Sequence, residues 1–305
     1  MRSHFIPDSR VLMACAAGAS TILTGQANAQ IASDNPLNAA YADGWQAGDN
    51  GGFGFTGWSF YGTYTNATQH AIDSTSPYNQ LGTAWTLYLP NGNTPQGTPD
   101  SPNGPPGPGG TGPDLSRAGR GFSEGALQIG QTISVTVDNP TERRFFKGYT
   151  IKLISGGQNN GYFDPTAKTR LAVGTFEYFS YGKWYAGPGL AYTPLSDTDT
   201  DAGVRIDMTL TGTDSYHLTM TPLDHPELAF SKDGALENSG PVDWIMFEHY
   251  NTDSDFYDAS GPHVAPNPQA TDLYIGSMSI VPEPSSLAFF GIGSAGILFM
   301  RRRKK

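Results

Sequence analysis

"VRIDMTLTGTDSYHLTMTP", residues 204–222, decides the fold. Val204, Ile206, Met208 and Leu210 share one face of the first run, and Tyr216, Leu218 and Met220 share one face of the second. The intervening "TGTD", 211–214, has turn chemistry. Period-two alternation joined by a short Gly-containing turn predicts a β-hairpin. "QTISVTVDNP" continues the pattern with Ile133, Val135 and Val137 on one face. Further strands are expected at about 54–62, 84–89, 148–155, 170–180, 242–250 and 272–281. Between the chain ends there is no useful 3.6-residue stripe. Many short strands rich in Thr, Tyr, Phe and Val, separated by Gly, Pro, Asn and Asp, predict an all-β fold: an antiparallel two-sheet sandwich.

Both ends of the 305-residue chain read as addresses rather than fold material. Residues 1–29 have the pattern of a secretory signal peptide. Arg2 and Arg10 precede an apolar stretch, and Ala27, Asn28, Ala29 and Gln30 place the expected cut after Ala29. "LMAC" at 12–15 loosely resembles a lipoprotein box, but it leaves only about four apolar residues before Cys15, where signal peptides have about 7–15. Residues 30–280 form the expected β-sandwich domain, large enough to stand without staples. It has to, because Cys15, the sole cysteine, lies in the expected signal segment.

Two of the 18 Lys and Arg lie in the first 29 residues and five in the last five, leaving 11 in the body; the 28 Asp and Glu lose Asp8 and Glu283, leaving 26. A surface so acidic repels phosphate backbones, which excludes nucleic acid as a partner. One segment departs from the strand pattern. Residues 90–114 hold eight prolines and seven glycines in 25 positions without a sustained triplet period, so they read as a flexible loop and not as collagen.

Several stretches offer chemistry. "GFSEG", 121–125, matches a nucleophile-elbow pattern at Ser123, but a strand follows it where that motif needs a helix, so Ser123 reads as a turn residue. "SDTDTDAG" spaces Asp197, Asp199 and Asp201 as short Ca2+ loops begin. Ala202 and Met208 occupy the places where an EF-hand needs Gly and Glu, leaving a simpler Ca2+ site or an acidic turn. Asp253, Asp255 and Asp258 offer similar spacing. Glycoside hydrolysis needs paired carboxylates, whereas Glu177 and Glu248 are single acids in aromatic strands and read as solvent-facing. The histidines lack metal-ligand spacing. Exposed aromatic rings stack on sugars, so Trp45, Trp58 and Trp184 are candidate glycan-stacking residues, weighed against the usual place of aromatics in a sandwich core.

The last stretch, "VPEPSSLAFFGIGSAGILFMRRRKK", combines Pro282, Glu283 and Pro284, an apolar run at 287–300, and Arg301, Arg302, Arg303, Lys304 and Lys305. As a short hydrophobic helix the run spans about 21 Å at ~1.5 Å per residue, against ~30 Å of hydrocarbon. It suits a transient stop with its cations held in the cytoplasm better than a permanent anchor. Residues 281–305 resemble the PEP-CTERM sorting signal of exported bacterial proteins. That resemblance implies partnership with the secretion machinery and an exosortase, processing near Pro282–Pro284, a cell-surface or extracellular location, and an association with exopolysaccharide and biofilm.

The body is similar to exported domains of the concanavalin A-like jelly-roll fold, through "GWQAGDNGGFGFTGW" (44–58), "LGTAWTLY" (81–88), "RAGRGFSEGALQIGQTISVTVD" (117–138) and "DLYIGSMSI" (272–280). The resemblance implies a fold and carries no catalytic residues. The expected function is a non-enzymatic surface or matrix protein, a sandwich that binds polysaccharide or packs into an extracellular layer. The alternatives are a secreted polysaccharide hydrolase on the same fold and a Ca2+-dependent adhesion module.

Overall fold

The computed structural model describes residues 30–62, 70–88, 114–138, 147–159, 162–163, 167–176, 183–187, 191–196, 198–251, 257–258, 261–262 and 272–282. The expected signal segment, nearly all of the Pro/Gly-rich loop and the apolar tail lie outside them. In chain order the strands are β1 (Ala32–Asp34), β2 (Ser59–Gly62), β3 (His70–Asp73), β4 (Ala84–Leu87), β5 (Asp114–Gly121), β6 (Gln131–Asp138), β7 (Lys147–Ser155), β8 (Gln158–Asn159), β9 (Tyr162–Phe163) and β10 (Lys168–Phe176). There follow β11 (Lys183–Ala186), β12 (Ala191–Ser196), β13 (Val204–Gly212), β14 (Ser215–Pro222), β15 (Phe230–Ala235), β16 (Trp244–Asn251), β17 (Tyr257–Asp258), β18 (Gly261–Pro262) and β19 (Leu273–Pro282).

The hairpin at 204–222 forms as read. Val204 pairs with Pro222 and Met208 with Leu218, and a register shift beyond Leu210 closes the turn at Gly212–Ser215. β14 alternates half-buried and buried along its whole length, so one face meets the core. The hairpin lies in an eight-stranded antiparallel sheet ordered β15-β14-β13-β6-β19-β4-β3, with β1 also on β19. A seven-stranded antiparallel sheet, β12-β11-β10-β7-β16-β5-β2, faces it. The all-β two-sheet sandwich is therefore the architecture. Asp114, expected as the last residue of the loop, instead opens β5, so the 90–113 segment joins a strand of one sheet to a strand of the other.

The apolar faces meet between the sheets. Ile133, Val135, Val137, Ile206, Leu218 and Ile275 come from the larger sheet; Ile151, Leu153, Val173, Ile245 and Phe247 come from the smaller. At one flank Tyr41, Trp45, Trp58, Phe60 and Trp85 pack mainly edge to face, with ring centres 4.8–5.3 Å apart. His70 stacks on Phe60 at 3.6 Å beside this cluster.

One ion pair spans the core. Asp34 belongs to β1 in the larger sheet and Arg120 to β5 in the smaller, and Arg120 Nη1 donates to Asp34 Oδ2 at 2.5 Å with both side chains fully buried. The other guanidinium donors are also placed. Nε and Nη2 reach the Thr56 carbonyl at 2.9 and 2.7 Å, and Nη2 reaches Asn50 Oδ1 at 2.6 Å. Asp34 accepts further bonds from the Asn35 backbone N–H, Asn38 Nδ2 and the Tyr41 hydroxyl. Burial and this bond to Asp34 push the Tyr41 hydroxyl up to about 12. The guanidinium lies over the rings of Phe55 and Trp58, at 4.8 and 4.7 Å. Charges this deep are tolerated only when paired and fully hydrogen-bonded.

Removing one partner strands the other charge, so Arg120→Met should lower stability by about 3–5 kcal/mol. Adding Asp34→Asn should return part of that loss. Urea unfolding of the two single variants and the double variant measures the coupling; additive losses would show that the two groups do not act as a pair.

Candidate functional site

The outward face of the seven-stranded sheet carries a second charged cluster, outside the core. Along β16, Ile245 and Phe247 enter the core while Trp244, Met246 and Glu248 point outward. Glu248 is opposite Arg117 of β5 on one side and Thr150 of β7 on the other. Arg117 Nε donates to its Oε1 at 2.5 Å, and Lys152 Nζ bonds its Oε2. The carboxylate is fully buried, whereas Arg117 and Lys152 retain 16% and 20% side-chain exposure, so the cations form the accessible part of the cluster. Glu248 therefore departs from the solvent-facing reading, because two flanking strands supply cations that close over it.

The same face continues across β10 and β11. Gly174 pairs with Thr150 on one side and Tyr185 on the other, and the Tyr185 hydroxyl bonds Thr150 Oγ1 at 2.6 Å across it. A Cβ at position 174 would sit 3.0 Å from that hydroxyl and 2.1 Å from the Tyr149 carbonyl, so only glycine lets the two side chains meet. Burial pushes the Tyr185 hydroxyl up to about 12; the bond to Thr150 lowers it and the Glu248 charge raises it further, so it stays protonated at neutral pH. Tyr192 lies opposite Tyr185 on edge-proximal β12 and is 56% exposed. At the other edge Tyr61 of β2 lies opposite Arg117, is 40% exposed, and has the guanidinium 5.6 Å from its ring centre. The face thus has a cationic centre with an exposed tyrosine toward each edge.

Glycine also shapes the end of this face near Trp244. A Cβ on Gly119 would lie 2.5 Å from Trp244 Nε1, and one on Gly157 2.3 Å from its Cγ. The indole consequently lies flat against β5 and packs with Ile154 and Met246 in a small second cluster outside the main core.

The residues singled out by sequence fall elsewhere. Trp45, Trp58 and Trp184 are at most 3% exposed, so their rings offer no face to a sugar; they fill the interior, where aromatic area is worth most. Trp58 Nε1 donates to the Tyr41 hydroxyl and Trp184 Nε1 to Thr200 Oγ1, which satisfies their polar ends inside. Asp199 Oδ2 accepts from the backbone N–H and the hydroxyl of Ser196, both at 2.8 Å, and so ties the 3-10 turn at Thr198–Thr200 to the end of β12. Asp201 is exposed in the same turn, and Asp197 lies outside the described residues. No group of three or more metal-ligating side chains occurs among the described residues. Ser123 is exposed in the turn after β5, where its backbone N–H donates to the Gly54 carbonyl. Glu177, Asp253, Asp255, Glu283, Pro284 and the cationic terminus also lie outside the described residues, while Pro282 is the last residue of β19.

Residues 281–304 match the PEP-CTERM protein-sorting motif. The chain is an exported protein, processed by an exosortase at the membrane and then surface-bound or extracellular. No curated protein matches it in sequence. Among solved structures it is similar to the VIP36 exoplasmic/lumenal domain in its Ca2+-bound form, with 9% identity, 74% of this chain and 83% of that chain covered, and a TM-score of 0.38. It is also similar to a legume lectin-like domain from Entamoeba histolytica, with 6% identity, 74% and 89% coverage and a TM-score of 0.35. A carbohydrate esterase from the Shiga toxin-encoding bacteriophage phi24B gives 10% identity, 74% and 90% coverage and a TM-score of 0.38.

Two measurements follow from this geometry. Asp199→Ala should cost about 1 kcal/mol through the lost bonds to Ser196, read by urea unfolding. A calcium-dependent rise in melting temperature that Asp199→Ala abolishes would instead make the turn a metal site. Burial lowers His70 from 6.5 to about 4. Between those values the unfolded chain binds the proton and the folded chain does not, so stability is full above about pH 6.5 and falls as the pH drops toward 4. His70→Phe should flatten that part of the stability–pH curve; an unchanged slope would assign the loss to other groups.

Proposed function

We propose that this exported sandwich is a non-enzymatic surface or matrix protein that binds extracellular polysaccharide across the outward face of its seven-stranded sheet. The carrying observation is the pairing of partly exposed Arg117 and Lys152 over buried Glu248, with exposed Tyr61 and Tyr192 toward the two edges. Tyrosine rings supply apolar area for sugar rings, and guanidinium and ammonium donors suit hydroxyl and carboxylate oxygens. Arg117, Lys152 and Glu248 set two cations against one carboxylate, in a chain whose formal net charge is −10. That local balance favours a polymer bearing carboxylates, such as a uronic-acid polysaccharide.

The same cluster weighs against hydrolysis. A glycosidase holds two carboxyl groups about 5–9.5 Å apart across the scissile bond. Here each oxygen of Glu248 is already taken by a cation, which leaves neither one directed at a glycosidic linkage. The PEP-CTERM motif agrees with display at the cell surface or outside the cell.

Titration of the exported chain with neutral and uronic-acid polysaccharides tests the reading by calorimetry. Binding should favour the acidic polymers. Tyr61→Ala and Tyr192→Ala should each weaken it about tenfold, ~1.4 kcal/mol, with little change in melting temperature because both rings are substantially exposed. Variants that bind like the parent would move the site elsewhere, and release of reducing ends would make the protein a hydrolase.

A further inference from the structure

β1 and β19 run antiparallel, with Ala32 opposite Ile280, and the Ile31 N–H donates to the Ile280 carbonyl at 2.8 Å. The described chain therefore enters at Gln30 and leaves at Pro282 on neighbouring strands at one end of the sandwich. Pro282 is itself still in register, opposite Gln131 of β6. The sorting motif thus begins inside the strand, without a linker. Four residues, 283–286, separate Pro282 from Leu287, where the apolar run starts. Fully extended they reach about 14 Å at ~3.5 Å each. The headgroup layer alone occupies about 5–7 Å on each side of a bilayer. A folded domain on so short a tether has this end against the lipid whenever the apolar run is in the membrane. The expected signal segment, ending at Ala29, would leave from the same end.

The side chains there suit such a surface. Phe53 is 52% exposed and Ile129 62% exposed. Phe53 is bridged to Ser33 of β1, and Ile129 lies in the turn that leads into Gln131. Between them a small cleft is lined by Ile31, Phe122, Leu127 and Ile280. Glu124 and Asp214 share this end, so charge attraction to anionic lipid plays no part, and the tether and apolar contact set the geometry.

We infer that this end of the sandwich, comprising Ile31, Phe53, Ile129 and the Pro282 exit, is a lipid-facing surface that rests on the phospholipid headgroups until the tail is cut. The inference depends on the sorting tail and the strand register and is independent of polysaccharide binding. It orients the strands outward from the membrane, with the opposite end, where Val204 pairs with Val137, about 20 Å farther out at ~3.3 Å per residue along β6.

The test uses the chain from residue 30 to residue 305, which contains no cysteine. Ile129→Cys and Leu223→Cys place a fluorophore at the two ends, and the tail-bearing protein is reconstituted in phosphatidylcholine vesicles containing headgroup-quencher lipid. Leu223 neighbours Gly203 at the far end and is 44% exposed. Quenching at 129 should exceed that at 223 several-fold, and Phe53→Cys should repeat the result from the same end. Equal quenching at both ends, or stronger quenching at 223, would overturn the inference.

Discussion

The Arg120–Asp34 pair is the constraint around which the rest is arranged. It joins a three-residue strand of one sheet to the interior face of the other, so the entry segment of the domain cannot leave without stranding a charge in the core. The segment between them is recruited as the solvent that the pair lost. Asn38, Tyr41, Asn50 and Thr56 each supply a bond to one ion or the other. A pair so completely satisfied gives the irregular stretch 35–58 one place to sit, although its net contribution to stability is smaller than its count of bonds suggests.

β5 carries this constraint to the outward face. Its residues alternate between the two environments: Arg120 points inward to Asp34, and Arg117 points outward to Glu248. Gly119 and Gly121 leave the space that Trp244 fills. One strand therefore fixes the core pair, positions a cation of the candidate binding face and seats the aromatic ring beside it. Loss of the core pair is expected to disturb the face through β5, whereas changes at the exposed Tyr61 and Tyr192 act on the face alone.

Much of the architecture was legible because most core strands follow a simple rule. Alternation exposed β6, β13 and β14, and aromatic or β-branched runs exposed β4, β7, β10, β16 and β19. β5 was not legible: "DLSRAGRG" lacks an apolar alternation, since its glycines yield space to Trp244 and its arginines are paid for by acids 86 and 131 residues away in sequence. The candidate face was hidden for the same reason. Glu248 looked like a lone solvent-facing acid, and only strand pairing brings Arg117 and Lys152 to it. The tryptophans erred in the opposite direction, because composition cannot tell a ring that lines a core from one that lines a surface. The sorting motif was plain, being a local string whose meaning needs no tertiary contact.

The buried ion pair locks the entry segment to both sheets, and amide hydrogen exchange reads this directly. The N–H groups of Ser33, Phe53, Thr56 and Trp58 all donate to backbone carbonyls of this region. They are expected to exchange as slowly as the amides of β6 and β19, in a single cooperative opening. Fast exchange at these four positions while β6 and β19 stay protected would contradict the account, because it would show an entry segment that opens without breaking the core.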